Sequence, residues 1–199
     1  MAESDITKIG YGLNIDGKYY NTLDIEGFSL MMKDPSYCYK FYWLEAIVQL
    51  ISEGVKETTF DAIIDEMICN AWYSVREFHI HLSGMQLDGQ VRDGLERAVL
   101  LLSELSDLPA NASKVEIKNS IAMHNDALKI YKEQLTNMVP YRALSGFFNK
   151  SDETIDWGSI RRMIAYIERI NQTAVLLRIH LEPRVNSRKR CIFKMHGWK

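Results

Sequence analysis

The amino-acid sequence predicts a mainly α protein of about five helices with a small C-terminal β-hairpin. Apolar residues recur at steps of three and four through most of residues 36–172, and this spacing places them on one face of a helix. Only in residues 174–195 does the pattern change to short apolar runs of strand length. We divide the chain into a helical domain at residues 1–150, with an irregular N-terminal arm at residues 1–33, and a helix plus a basic β-hairpin at residues 151–199.

The first predicted helix follows Asp34 and Pro35 and ends at Gly54. Asp accepts hydrogen bonds from the free amides of a first helical turn, and Pro suits the first helical position. Gly adopts the left-handed conformation that ends many helices. The predicted buried stripe comprises Tyr37, Phe41, Leu44, Val48 and Ile51, and is widened by Trp43, Ile47 and Leu50.

The second predicted helix begins at a variant capping box made by Thr58 and Asp61. Its apolar residues follow the helical spacing without a break, at Phe60, Ile63, Ile64, Met67, Ile68, Ala71, Trp72 and Val75. The opposite, solvent face is assigned to Asp61, Asp65, Glu66 and Asn70. Because that face is acidic, it would repel phosphate, so we interpret the helix pair as a scaffold rather than a DNA-recognition element.

Two further helices are predicted before Pro140. The third runs from about residue 90 to residue 106, with a buried stripe at Val91, Leu95, Val99, Leu102 and Leu105. The fourth begins at Ser113, which forms a capping box with Glu116, and continues for roughly 26 residues, or about 39 Å, until Pro140 ends it. Its apolar seam includes His124, interpreted as a core histidine, and is also compatible with a dimer.

The C-terminal part is predicted to contain a fifth helix at residues 156–172, then strands at residues 174–181 and 190–195. The turn between the strands is basic. A helix followed by a hairpin with a basic tip resembles the wing of a winged-helix protein.

Composition restricts the class of protein. The chain has 199 residues, an apolar fraction of 47% and no apolar run long enough for a membrane span, so no membrane association is predicted. Its three cysteines, Cys38, Cys69 and Cys191, are far apart and odd in number, which favours reduced thiols and a cytoplasmic protein. No cofactor and no metal site are predicted, since Cys191 and His196 are too few ligands for zinc.

Charge is distributed unevenly along the chain. Of the 24 Lys and Arg residues, six lie in residues 183–199, where no acidic residue occurs. The rest of the chain has 18 basic and 26 acidic residues, a net charge of -8, whereas the tail carries +6. The predicted nucleic-acid contacts are therefore the basic residues of the hairpin: Arg184, Arg188, Lys189, Arg190 and Lys194.

The segment after the second helix contains Arg76, His79 and His81. The two histidines suit either a structural role, which we favour, or a His-x-His metal pair. Arg76 and His81 also match the Arg-x4-His spacing of the all-helical HEPN ribonucleases, in which arginine stabilises phosphate charge and histidine assists proton transfer. A small HEPN-like ribonuclease that uses Arg76 and His81 is therefore the alternative function.

Three sets of residues carry a wider resemblance. Tyr39-Lys40-Phe41-Tyr42-Trp43, the segment at residues 67–73, and Val139-Pro140-Tyr141-Arg142 occur in this order, followed by Met195-His196-Gly197-Trp198. This set resembles the N-terminal helical region of bacterial proteins that carry an HNH endonuclease domain near their C-terminus. The HNH module itself is absent from these 199 residues. The resemblance therefore implies a non-catalytic, nuclease-associated helical module that binds nucleic acid or a partner protein, and the seam of the fourth helix leaves a homodimer open.

Overall fold

The computed structural model describes residues 25–33, 38–83, 90–91, 93–143, 159, 162, 165–166, 179–184 and 190–195. These residues are mainly helical. Six helices are present among them: α1 (Ile25–Lys33), α2 (Tyr39–Ser52), α3 (Phe60–Arg76), α4 (Gly94–Leu105), α5 (Lys114–Met123) and α6 (Asn125–Ala143). Three strands are also present: β1 (Glu57–Thr59), β2 (Ile179–Arg184) and β3 (Arg190–Met195). None of the helices in these ranges has the length and hydropathy required to cross a bilayer.

Helix α3 is the centre of the fold, and it contacts α2, α4, α5, α6, β1 and β3. The prediction for its core-facing side is confirmed, since every member of the predicted apolar stripe from Phe60 to Val75 is buried. Among the described residues, Trp72 is the largest fully buried side chain. Its indole N–H donates to the carbonyl oxygen of Pro109 at 3.1 Å, so the ring is buried without leaving its polar atom unpaired.

The buried face of α2 differs from the predicted stripe. Tyr39, Trp43, Ala46, Ile47 and Leu50 are buried, whereas Val48 is 56% exposed and Ile51 is also exposed. Both stripes have helical spacing, and the rich apolar content of this helix allows either one to face the core. Trp43, Ile47 and Leu50, which were predicted to widen the stripe, are part of the face that is buried.

Two predicted helix boundaries are wrong because neighbouring residues make better contacts. Thr59, rather than Thr58, caps α3, and its side chain accepts a hydrogen bond from the backbone N–H of Ala62 at 3.1 Å. Thr58 instead belongs to the short strand β1. Pro140 does not end α6, which continues to Ala143. Val139 and Ala143 pack in the core on either side of Pro140, and this packing compensates for the hydrogen bond that proline cannot make.

The long fourth helix of the prediction is divided into α5 and α6 at His124. Its start is confirmed, since Ser113 and Glu116 form the capping box in both directions. The backbone N–H of His124 donates to Ser120 and its carbonyl accepts from Leu128, so the break interrupts little of the hydrogen-bond ladder. His124 lies at the break and is half-buried, not in the core. The seam residues Ile117, Ile121, Leu128 and Leu135 are buried in the core of the same chain.

Other elements were not anticipated or lie beyond the described residues. Helix α1 occupies the end of the predicted irregular arm, and β1 occupies part of the predicted linker between the first two helices. Helix α4 begins at Gly94, later than predicted, because Asp93 provides the cap, and Leu105 of its predicted stripe is exposed. Arg162 and residues 165–166 are helical, Ser159 is not in a helix, and the other residues of the predicted fifth helix lie outside the described residues.

The strands form one antiparallel sheet in the order β1-β3-β2. Strand β3 pairs with β1 through Glu57/Lys194, Thr58/Phe193 and Thr59/Ile192. It pairs with β2 from Ile179/Met195 to Arg184/Arg190. The connection at residues 185–189 lies outside the described residues, so the hairpin with a winged-helix end remains a prediction.

Candidate functional site

The first candidate site is the segment that begins where α3 ends, at Arg76. The guanidinium carbon of Arg76 lies 5.5 Å from the centroid of a Trp72 ring, a cation–π geometry. Its Nε atom is buried and has no hydrogen-bond partner among the described residues. His79 has a φ of 49°, which places it in the left-handed region as the chain turns away from the helix.

A carboxylate on α4 holds the other end of this segment. Glu96 is buried, and its Oε1 lies 2.8 Å from Nδ1 of His81. Its other oxygen, Oε2, accepts a hydrogen bond from the backbone N–H of Leu82 at 2.9 Å. The buried carboxylate therefore fixes both the imidazole and the backbone, which ties the segment after α3 to the start of α4. The His81 side chain remains 43% exposed.

Asp93 supports Glu96 from the preceding cap position. Its Oδ1 accepts from the backbone N–H groups of Leu95 at 2.8 Å and Glu96 at 3.0 Å. Burial raises the pKa of the Asp93 carboxyl, and the hydrogen bonds from these two amides oppose that rise. The sequence signal that was missed is the Asp-Gly-Leu-Glu start of α4, in which one acid caps the helix and the next reaches across to His81.

The structure brings His81 to Glu96 rather than to Arg76. No hydrogen bond joins Arg76 to His81 in the described ranges. The same ranges contain no group of three or more His, Cys, Asp or Glu side chains placed to hold a metal ion. In this segment, the imidazole of His81 is therefore held by the carboxylate of Glu96. The guanidinium group of Arg76 lies over the indole ring of Trp72.

On the predicted solvent face of α3, Asp61 is exposed as expected, but Glu66 is covered by lysines, which corrects that part of the prediction. Glu66 is only 1% exposed. Its Oε2 lies 2.6 Å from Nζ of Lys114, and Lys118 forms a second ion pair with Oε1. Burial lowers the pKa of Lys114, but hydrogen bonds to Glu66 and Glu53 more than compensate, so the pKa is raised overall.

A second cluster surrounds Lys132 of α6, which is almost completely buried. Its Nζ lies 2.9 Å from Asp61 Oδ1, 2.7 Å from Asp65 Oδ1 and 2.9 Å from Asn125 Oδ1. Burial raises the pKa of Asp65, and the charge of Lys132 opposes that rise. These clusters use the acidic residues of α3 to fasten α5 and α6, which is a structural role.

The second candidate site is the basic strand pair. Antiparallel partners lie on the same face of a sheet, and successive residues alternate between faces. One face therefore carries His180/Lys194, Glu182/Ile192 and Arg184/Arg190. The other face carries Ile179/Met195, Leu181/Phe193 and Pro183/Cys191. Arg184, Arg190 and Lys194 thus share one face, whereas Arg188 and Lys189 lie outside the described residues.

Strand β1 relates the two faces to the helices. Thr58 is buried and pairs with Phe193, so it shares the apolar face. Glu57 is exposed and pairs with Lys194, so it shares the basic face. The apolar face of the sheet therefore lies on the same side as the buried residue Thr58. The basic face lies on the same side as the exposed residue Glu57.

Comparisons with known proteins found no matching family model, no matching curated protein and no matching solved structure.

Proposed function

We propose that this chain is a non-catalytic helical module that binds nucleic acid, weakly and without sequence preference, through the basic residues at positions 184–194. The single observation that supports the proposal is the register of the strand pair, in which Arg184 pairs with Arg190, and Lys194 pairs with His180 on one side and Glu57 on the other. The paired arginines Arg184 and Arg190 suit contacts with a phosphate backbone. Arg188 and Lys189 extend the same run of positive charge in the sequence.

The distribution of charge in the helical part supports this assignment. The chain outside residues 183–199 carries a net charge of -8, so it repels a polyanion. Three of its lysines, Lys114, Lys118 and Lys132, are bound to carboxylates of α3. The basic tail therefore supplies the strongest attraction for phosphate. The pairing of β3 with β1 directly before α3 supports a wing that is fixed to the helical body.

A salt titration of duplex DNA binding tests the proposal. Each neutralised phosphate contributes about -0.9 to the slope of log K against log salt, so three to five contacts give a slope of roughly -3 to -4.5. The variant Arg184→Ala/Arg190→Ala removes two of the proposed contacts, both in the strand pair, and its slope should be shallower by about 2.

The matched control is Lys56→Ala/Lys129→Ala, which removes two exposed lysines of the helical part. It should bind as the wild type does, because neither lysine belongs to the proposed contact. If the two variants bind equally well, or the wild type does not bind at low salt, the basic strand pair is not the contact, and a protein partner becomes the better proposal.

The resemblance to regions that precede HNH domains supports a role for this module next to a nuclease domain. This chain contains no HNH sequence motif, so we expect no cleavage of plasmid DNA with magnesium, manganese or zinc. Nicking that survives repurification, and that is lost on substitution of a residue of this chain, would contradict this expectation.

A HEPN-like ribonuclease using Arg76 and His81 is the second candidate. Two observations favour it: the Nε of Arg76 has no hydrogen-bond partner among the described residues, and His81 is partly exposed. The bond from His81 to the buried Glu96 favours a structural role instead. We therefore expect His81→Ala to lower stability, and His79→Ala, at an exposed position, to be neutral. RNA cleavage by the wild type that disappears in a folded His81→Ala variant would establish the ribonuclease.

A further inference from the structure

Strand β2 is an edge of the sheet, because the strand order is β1-β3-β2 and β2 pairs only with β3 among the described residues. An edge strand presents a row of backbone N–H and C=O groups that can pair with a strand of another chain. The backbone groups of β2 that point away from β3 therefore decide what this edge can bind.

Pro183 identifies these outward groups. It lies opposite Cys191, and proline has no N–H to donate, so this pair cannot be one in which the two residues exchange backbone hydrogen bonds. Exchanging and non-exchanging pairs alternate along an antiparallel ladder. The even-numbered residues of β2 therefore bond to β3, whereas its odd-numbered residues direct their backbone groups to the open edge. Ile179 and Leu181 each offer a donor and an acceptor there, and Pro183 offers an acceptor.

The sequence of β2 is self-complementary about Leu181, which lies between His180 and Glu182. If two copies pair antiparallel with Leu181 opposite Leu181, His180 of each copy lies opposite Glu182 of the other. A carboxylate accepts a hydrogen bond from an imidazole and attracts it further when the imidazole is protonated. A shift of the register by two residues places either Glu182 or His180 opposite its own copy, and like groups in opposite positions are unfavourable. Charge complementarity therefore selects one register.

The same register also suits the outward backbone groups. Leu181 donates to and accepts from Leu181 of the partner subunit, as in any exchanging pair. Ile179 donates its N–H to the carbonyl oxygen of Pro183 of the partner subunit. Proline often protects an edge strand from pairing, because it lacks a donor. Here it lies at the end of the paired segment, so the pairing loses a hydrogen bond only at its two ends.

We propose that β2 pairs two copies of this chain, antiparallel and with Leu181 opposite Leu181, so that one sheet continues through both copies. The interface is self-complementary, as a two-fold axis requires. An axis perpendicular to the sheet keeps each face on its own side, so the Arg184/Arg190 pairs of both copies lie on one side. Two basic sites related in this way match the two-fold symmetry of duplex DNA. This consequence rests on the proposed function, whereas the pairing itself does not.

Disulfide cross-linking of the whole chain, without nucleic acid, tests the pairing. In the proposed register the Cα atoms of the two copies of Leu181 lie about 5.5 Å apart, a separation that a disulfide can bridge. The two copies of Ile179 lie more than about 10 Å apart, because each is opposite Pro183 of the partner subunit. Under mild oxidation, Leu181→Cys should therefore form a cross-linked dimer at least about tenfold faster than the matched variant Ile179→Cys. Both variants also carry Cys191→Ser, which removes the cysteine of the neighbouring strand.

Sedimentation velocity supplies a second measurement. The mean mass of the wild type should rise towards that of two copies as the protein concentration increases. Leu181→Pro should remain a single copy, since it removes only an N–H that points away from β3. The proposal is overturned if the two cysteine variants cross-link at the same rate, if the wild type remains a single copy at every concentration, or if Leu181→Pro associates like the wild type. Because neither experiment contains DNA, a chain that pairs but does not bind DNA contradicts the proposed function alone.

Discussion

The cluster around Lys132 allows a quantitative prediction, because its two carboxylates differ in exposure. The Lys132 side chain is 4% exposed, whereas its partners Asp61 and Asp65 are 62% and 27% exposed. The perturbations are Asp61→Asn, Asp65→Asn and Lys132→Met, made singly, and the combination of the last two. Each replaces a charged group with an uncharged one of similar size.

The expected costs follow from what each variant leaves buried. Removing one partner of a buried ion pair costs about 3–5 kcal/mol when the remaining charge has no other partner. Lys132 would keep Asp61 and Asn125 as acceptors, so we expect about 2–3 kcal/mol for Asp65→Asn. Asp61→Asn should cost under about 1 kcal/mol, since exposed ion pairs contribute little.

Lys132→Met removes the buried ammonium group itself and retains an apolar side chain, so we expect a cost of about 1–2 kcal/mol. It also removes the charge that opposes the raised pKa of Asp65, so that pKa should rise further. The double variant should be more stable than the sum of the single effects predicts, by at least about 1 kcal/mol, because the two groups are in direct contact.

Urea unfolding followed by far-ultraviolet circular dichroism measures these free energies, and a constant slope against urea checks that unfolding remains two-state. Lys129→Met is the control, since Lys129 is exposed on the same helix and should change stability by less than about 0.5 kcal/mol. The reasoning is refuted if Asp61→Asn costs as much as Asp65→Asn, or if the effects of Asp65→Asn and Lys132→Met simply add.

Three further predictions concern the core, the cap of α4 and the buried thiol. Trp72→Ala should lower the free energy of unfolding by about 3–5 kcal/mol, whereas Val48→Ala should change it by less than about 0.5 kcal/mol because that side chain is exposed; equal losses in urea titrations would contradict the packing described. Burial raises the pKa of Asp93 above the ordinary 3.8, so the folded state holds this proton more tightly and the contribution of Asp93 to stability falls as pH rises from 3.8 through the raised pKa. Asp93→Asn keeps the capping oxygen without the charge, so the free energy of unfolding should no longer fall over this pH range. Unfolding measured at a series of pH values tests this, and an unchanged pH profile would show that Asp93 does not cause the decrease. Burial also raises the pKa of Cys69 to about 12, so the thiol should not react with iodoacetamide at neutral pH in the folded chain. Mass spectrometry should therefore find Cys69 unmodified in the folded chain and modified in urea. Rapid labelling of the folded chain would contradict its burial.

The apolar pattern predicts elements well where only one face can be buried. The stripe of α3 was predicted residue by residue, because charged residues fill its other side and leave a single choice. Helix α2 is apolar on more than one side, so spacing alone did not distinguish the stripe with Val48 from the stripe with Trp43. That choice depends on the shape of α3, which is not a local property of the α2 sequence.

Polar residues were harder to assign than apolar ones. Glu66 was predicted to face solvent because it lies opposite the apolar stripe of α3. It is buried because Lys114 and Lys118 reach it from α5, about fifty residues later in the sequence. The same limit applies to His81, whose partner Glu96 lies on another helix. Local patterns located the cap at Ser113, where both partners lie within one turn, but not these distant pairs.

The position of β3 in the sheet has a consequence for the order of folding. Strand β1 is only three residues long, and its partner β3 lies at residues 190–195. Contacts between α2 and α3 close short loops and can form early, whereas the β1–β3 pairing closes a loop that includes α3 to α6 and is expected to form late. During synthesis the helices can therefore assemble first, and β1 remains a short unpaired edge until β3 leaves the ribosome.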